Sequence, residues 1–173
     1  MTTIAGRPQT NEHAPYFSRY IDLVPEDDVA GAIEAQGRET AALLAKVSEE
    51  KAAFRYSPEK WSIKQVVGHV TDAERVFAYR LMSIARGESQ SLPGFDENDY
   101  VRNANFDEIP FAELVEGLAA TRRATLALVR GLSPEAWTRA GTANEKPTTV
   151  RAVAYTLLGH ERHHLRVLRE RYL

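Results

Sequence analysis

Cysteine is absent from all 173 residues. Disulfides and thiolate metal ligands are therefore excluded, and the absence fits a reducing compartment. No apolar run approaches the ~20 residues needed to span a bilayer. The opening MTTIAGRPQT has neither the charged start nor the apolar stretch of a secretory signal. The expectation is a cytoplasmic protein with no membrane attachment. An excess of one charge is missing as well: 22 basic against 24 acidic residues leave a net charge of -2. That gives no strongly basic face for nucleic acid. Period-two alternation does not hold over any useful length, so no strands are expected. What is present, 43% hydrophobic and 27% charged residues, is ordinary globular composition. The whole chain, 1–173, reads as a single domain large enough to bury its own core.

Residues 1–25 read as a polar N-terminal arm, interrupted by Pro8, Pro15 and Pro25 and pinned to the rest by Tyr16, Phe17 and Tyr20. A first helix is expected from near Pro25 to near residue 50, with Val29, Ile33, Gln36, Thr40, Leu43, Leu44 and Val47 on one face. Ser62 and Gln65 form a capping-box pattern for a second helix, which carries Ile63, Val66, Val70, Phe77 and Leu81 and stops at Gly87. Residues 88–107 form a long connection, and connections of that length are often functional. They either cover a site or simply cross over in solvent. Pro110 opens a third helix that ends at Gly131. A turn at Glu135–Trp137 and a loop over 141–147 lead to a last helix capped by Thr148 or Thr149. Four amphipathic helices predict an all-α, antiparallel four-helix bundle with its long connection between the second and third helices.

Five histidines stand out, at positions 13, 69, 160, 163 and 164. Relative to Leu157 on a helical wheel, His160 falls at about -60° and His164 at about -20°, both on the apolar stripe. His163 falls at about -120°, at the solvent boundary. A pair spaced i, i+4 is a ready chelate for one ion. Taken alone, it is more readily two core imidazoles satisfied by hydrogen bonds. His69, at the stripe edge of the second helix, is the one other histidine in the four helices. Bundles build metal sites from facing helices. Three imidazoles with an open position would suit Zn²⁺, Ni²⁺ or Fe²⁺.

The segments Trp61-Ser62-Ile63-Lys64-Gln65-Val66-Val67-Gly68-His69-Val70-Thr71-Asp72-Ala73-Glu74-Arg75 and Gly159-His160-Glu161-Arg162-His163-His164-Leu165 resemble the second-helix and last-helix signatures of the DinB/YfiT-like family. The resemblance extends to Phe95-Asp96-Glu97 and Leu132-Ser133-Pro134-Glu135 and covers nearly the whole chain. It implies a four-helix bundle with a long crossover. It also implies His69, His160 and His164 as the ligands of a divalent metal. Members are often homodimers. Those of known chemistry are transferases or isomerases that use a low-molecular-weight thiol such as mycothiol, bacillithiol or glutathione. Others are grouped as metal-dependent hydrolases.

The function read from the sequence is a metal-dependent thiol transferase or hydrolase acting on a small molecule. The alternative is a non-catalytic stress-response or ligand-binding bundle with a structural metal. Glu161 is the candidate catalytic carboxylate, set against a merely salt-bridged one. Asp72 falls on the outer edge and is assigned to the surface. Arg80 shares the His69 edge and could hold an anionic substrate; the blander reading is a surface or ion-paired arginine. Trp61 and Trp137 are expected as core or rim anchors, and Phe77, Tyr79 and Tyr155 as packing residues.

Overall fold

A computed structural model describes residues 6–173; residues 1–5 of the expected arm lie outside it. Four long helices make the bundle: α2 (Val29–Leu44), α4 (Ile63–Ala85), α6 (Phe111–Arg130) and α7 (Val150–Val167). Shorter helices are α1 (Ser18–Ile21), α3 (Glu49–Ala52) and α5 (Glu97–Asn103). Among the described residues, none of the helices is long and apolar enough to cross a membrane.

The start and stop signals act as the sequence implies. Ser62 Oγ accepts from the Gln65 N–H while Gln65 Oε1 accepts from the Ser62 N–H, which satisfies two orphan donors at the start of α4. At its other end Gly87 takes φ +91°, its N–H donates to Ile84 O, and the Glu88 N–H donates to Ser83 O. That is a Schellman closure, and it needs a residue free to adopt positive φ. Thr149 caps α7 by accepting from the Ala152 N–H. The first helix is shorter than expected. Asp28 accepts from the Gly31 N–H and starts it three residues after Pro25, and it ends at Leu44.

α4 packs on α6 and α7, and α2 packs on the same two helices, so α2 and α4 lie across a diagonal. The buried apolar residues fall into two clusters. One holds Ile33, Phe77, Leu81, Val129, Tyr155 and Leu158; the other holds Leu44, Ile63, Val67, Leu114, Leu118 and Leu165. Along α2 and α7 the chain passes from the first cluster to the second, and along α4 and α6 from the second to the first. α4 and α6 therefore point the same way and cannot be joined by a tight turn. The connection between them returns along the bundle. Leu92 bridges to Ala143 at one end of it, and at the other Phe106 lies on Gly68, where a Cβ would meet its ring at 2.5 Å.

This connection is more ordered than the sequence suggests. Asp96 accepts from the Asn98 and Asp99 N–H groups to start α5. The expected loop over 141–147 is also different: Ala140–Ala143 (β1) and Lys146–Thr149 (β2) pair as an antiparallel hairpin. Its turn residues, Asn144 and Glu145, have φ +50° and +60°. Positive φ at both central positions is the mirror-image turn that matches strand twist. Asn-Glu is a weak signal for that turn compared with Asn-Gly, and four-residue strands show too little alternation to register.

The arm seats α1 against α7. A Cβ on Gly159 would lie 2.0 Å from the Tyr20 carbonyl oxygen, so only glycine permits this approach. Gly159→Ala is expected to lose about 1–3 kcal/mol by overpacking, read as a lower urea midpoint. Alanine favours a helix interior by up to about 1 kcal/mol over glycine. A midpoint unchanged or raised would therefore show that the arm does not rest there.

Candidate metal centre

Between the two apolar clusters lies a polar waist. Every long helix contributes to it: Gln36 and Thr40 from α2, His69 and Glu74 from α4, Arg122 and Thr125 from α6, His160 and Glu161 from α7, all buried. The waist has two sides with different chemistry.

On the α4–α7 side, His69, His160 and His164 converge, with ligand nitrogens all within 4.8 Å of one another. His160 Nε2 is 3.1 Å from His69 Nε2 and 3.1 Å from His164 Nε2. At a metal–nitrogen distance of about 2.1 Å, donors at right angles are separated by about 3.0 Å and tetrahedral corners by about 3.4 Å. The two spacings from His160 suit a single ion of either geometry, and the third pair lies within 4.8 Å. His69 and His160 are buried and His164 is half-buried. Burial pushes the His69 imidazole down to about 4. It also holds His160 and His164 well below the ordinary histidine range, with their histidine neighbours adding to the effect. Three neutral imidazoles with their Nε2 atoms turned toward one point are the donor set a borderline divalent cation prefers. Among the described residues no carboxylate joins this group.

The imidazoles form part of the lining of a cleft of 540 Å³. Trp61 packs 4.8 Å from the His69 ring, Tyr20 5.3 Å from His160 and Phe77 5.7 Å from His160. The arm, the long connection (Phe95, Glu97) and the hairpin (Asn144, Lys146) supply the remaining walls. The 88–107 connection is thus both crossover and wall. Phe77 lines this cleft as well as packing, whereas Tyr79 is exposed and Tyr155 is buried with its hydroxyl donating to Glu26 O. His163 stands beside the site without joining the ligand group. It lines the cleft half-buried, 5.2 Å from the His164 ring.

Glu161 faces the other side of the waist. Its Oε1 accepts from Thr40 Oγ1 at 2.7 Å and its Oε2 from Arg122 Nη2 at 2.6 Å and from Gln36 Nε2. Arg122 also forks onto Glu74, with Nε and Nη2 donating at 2.9 and 2.7 Å. One residue after His160 the helix has turned by about 100°, which is why this carboxylate meets α2 and α6 and not the cleft. Neither Arg122 nor Glu74 is among the site residues expected from the sequence. For Arg122 a signal exists: it occupies the position between Leu118 and Thr125 where the buried stripe of α6 calls for an apolar residue. Asp72 pairs with Arg75 at 2.9 Å near the surface. Arg80, by contrast, is buried at 6% exposure and has no ion pair among the described residues.

Residues 32–168 match the DinB superfamily. Among solved structures, YfiT from Bacillus subtilis superimposes with a TM-score of 0.69 over 94% of this chain and 89% of its own, at 15% identity. That protein is described as a probable metal-dependent hydrolase with an unusual four-helix bundle topology. At this identity the likeness establishes the shared fold. No curated protein sequence matches the chain.

Proposed function

The chain belongs to the DinB superfamily, and we propose that it is a metal-dependent enzyme, a hydrolase or thiol transferase, whose ion is held by His69, His160 and His164. The observation that carries this reading is the set of three imidazole nitrogens at the cleft wall with no fourth protein donor joining them among the described residues. An open position of this kind separates catalytic from structural sites, which are closed by four protein ligands. When bound, the ion supplies Lewis-acid activation of a water or thiol nucleophile.

The chain's own residues do the rest. With no cysteine in the sequence, any thiol must enter as a separate small molecule. Neutral imidazoles keep their lone pairs for the ion. Tyr20, Trp61 and Phe77 enclose them in an apolar wall that restricts water and strengthens electrostatic effects on a bound substrate. Glu161 fixes the helix that carries two of the ligands, through Thr40, Gln36 and Arg122, and points away from the cleft.

Elemental analysis of purified protein after expression with added zinc, nickel or iron is expected to find about one ion per chain. His160→Ala is expected to lose it together with turnover of an ester and thiol-adduct panel. Less than about 0.1 ion per chain in the wild type would sink the proposal. A full complement of metal with no turnover of any ester or thiol adduct would favour a structural ion.

A further inference from the structure

We propose that Arg80 is the anion anchor of the three-histidine cleft, so that the substrate is a small molecule with an apolar or aromatic body and a carboxylate or phosphate at the end remote from the reacting group. The position of the reacting group rests on the metal-dependent reading above; the anion site itself does not depend on it.

Arg80 is 6% exposed. Its Nη2 donates to Pro93 O at 2.7 Å, and its Nε is buried with no hydrogen-bond partner. Among the described residues no carboxylate pairs with it. A buried charge without a countercharge is costly, and burial lowers the affinity of this guanidinium for its proton. The other buried arginine of the waist, Arg122, shows how the same fold treats a guanidinium whose role is structural: it is clamped by two glutamates. A void of 20 Å³ beside Arg80, also lined by Thr148 and Thr156, exceeds the about 10–15 Å³ a water needs. Water there would leave the charge unbalanced.

The placement sets the substrate's shape. His69 and Arg80 are separated by about 16 Å of helix rise and lie within about 20° of the same face of α4. Between them, Phe77 presents its ring 5.7 Å from that of His160 and 6.0 Å from the Arg80 guanidinium carbon. Ala73, the small residue on this stripe, leaves space in the cleft above it. Lys146 on β2 lines the same cleft, adding positive charge, while Glu97 lines it with the opposite sign. A ligand that reaches both the imidazoles and Arg80 must lie along Phe77.

Benzoate and phenyl phosphate, with benzamide as the uncharged isostere, are the probes. Each is titrated calorimetrically into full-length protein, both zinc-loaded and stripped with EDTA. Both anions are expected to bind in both forms, at least about tenfold more tightly than benzamide, and Arg80→Gln is expected to weaken them by about tenfold to a hundredfold without changing zinc content. The Arg80 Nε–H resonance of the wild type is expected to shift on adding benzoate, a readout independent of whether the variant folds. Anion affinities unaffected by Arg80→Gln, anions bound no better than benzamide, binding that appears only with zinc, or an unmoved Nε–H resonance would each overturn the anchor. A protein that takes up no zinc but still binds anions through Arg80 would refute the metal reading alone. Which anion binds more tightly separates carboxylate from phosphate substrates.

Discussion

Arg122→Met is expected to lose about 3–5 kcal/mol of folding stability, a large part of the 5–15 kcal/mol that a domain possesses. The substitution keeps most of the side chain's volume but removes the one cation between two carboxylates. Glu74 is 3% exposed and Glu161 2%, so neither can turn to solvent for compensation. Burial opposes the charge on Arg122, yet its bonds to Glu74 and Glu161 outweigh that and hold it firmly charged. Each helix has a part in the arrangement. Arg122 Nη1 donates to Ile33 O, and the bonds continue from Glu161 to Gln36, from Gln36 to Arg162, and from Arg162 to Glu26. A urea titration reads the loss. The triple variant Arg122→Met, Glu74→Gln, Glu161→Gln is expected to regain most of it, because replacing a whole buried ionic group costs far less than orphaning its partners. A loss below about 1 kcal/mol for Arg122→Met, the range of an exposed pair, would show that the waist is hydrated.

The waist also marks how far the sequence could be read. Ser62 with Gln65, Gly87 and Gly131 mark helix ends through local chemistry, and local chemistry is visible in sequence. The i, i+4 spacing of His160 and His164 is equally local. His69 was located on its stripe, but its approach to His160 depends on α4 and α7 being neighbours, which the wheel alone does not determine. Glu161 shows the limit clearly. It faces the core, yet a core-facing stripe on α7 touches two interfaces, and the carboxylate meets the one opposite the cleft. The parallel run of α4 and α6 was hidden in the same way, although the length of the connection between them is its consequence. The walls of the cleft come from segments 14–20, 95–97 and 144–146. These are short pieces whose order depends on tertiary contacts, such as Tyr20 on Gly159 and Leu92 on Ala143, and periodicity has no purchase on them.

Metal-free protein is expected to lose stability steeply as pH falls from about 6.5 towards 4. The folded chain holds the His69 imidazole down to about 4 through burial, while an unfolded histidine titrates near about 6.5. Between these values the unfolded state binds a proton that the folded state excludes, so acid favours unfolding. His69 alone then accounts for about 2 kcal/mol between pH 7 and pH 5. His160 and His164 shift in the same direction for the same reason and add to the loss. Glu12 and Glu26 act in the same direction but at lower pH. Bonds to Arg151 and Arg162 hold their carboxyls below the usual range, and their contribution disappears only below about pH 4.5, outside the histidine window. A divalent ion needs the same imidazoles neutral, so added zinc is expected to raise Tm at pH 7, by about 2.7 kcal/mol of stability at a hundredfold excess over Kd, and to lose that effect towards pH 5. Thermal melts at pH 7, 6 and 5, with zinc and with EDTA, separate the contributions. His160→Leu is expected to abolish the zinc increment and to reduce the acid slope, leaving the part that His69 and His164 contribute. A metal-free protein whose stability stayed level from pH 7 to pH 5 would show that the three imidazoles are not held neutral by the fold.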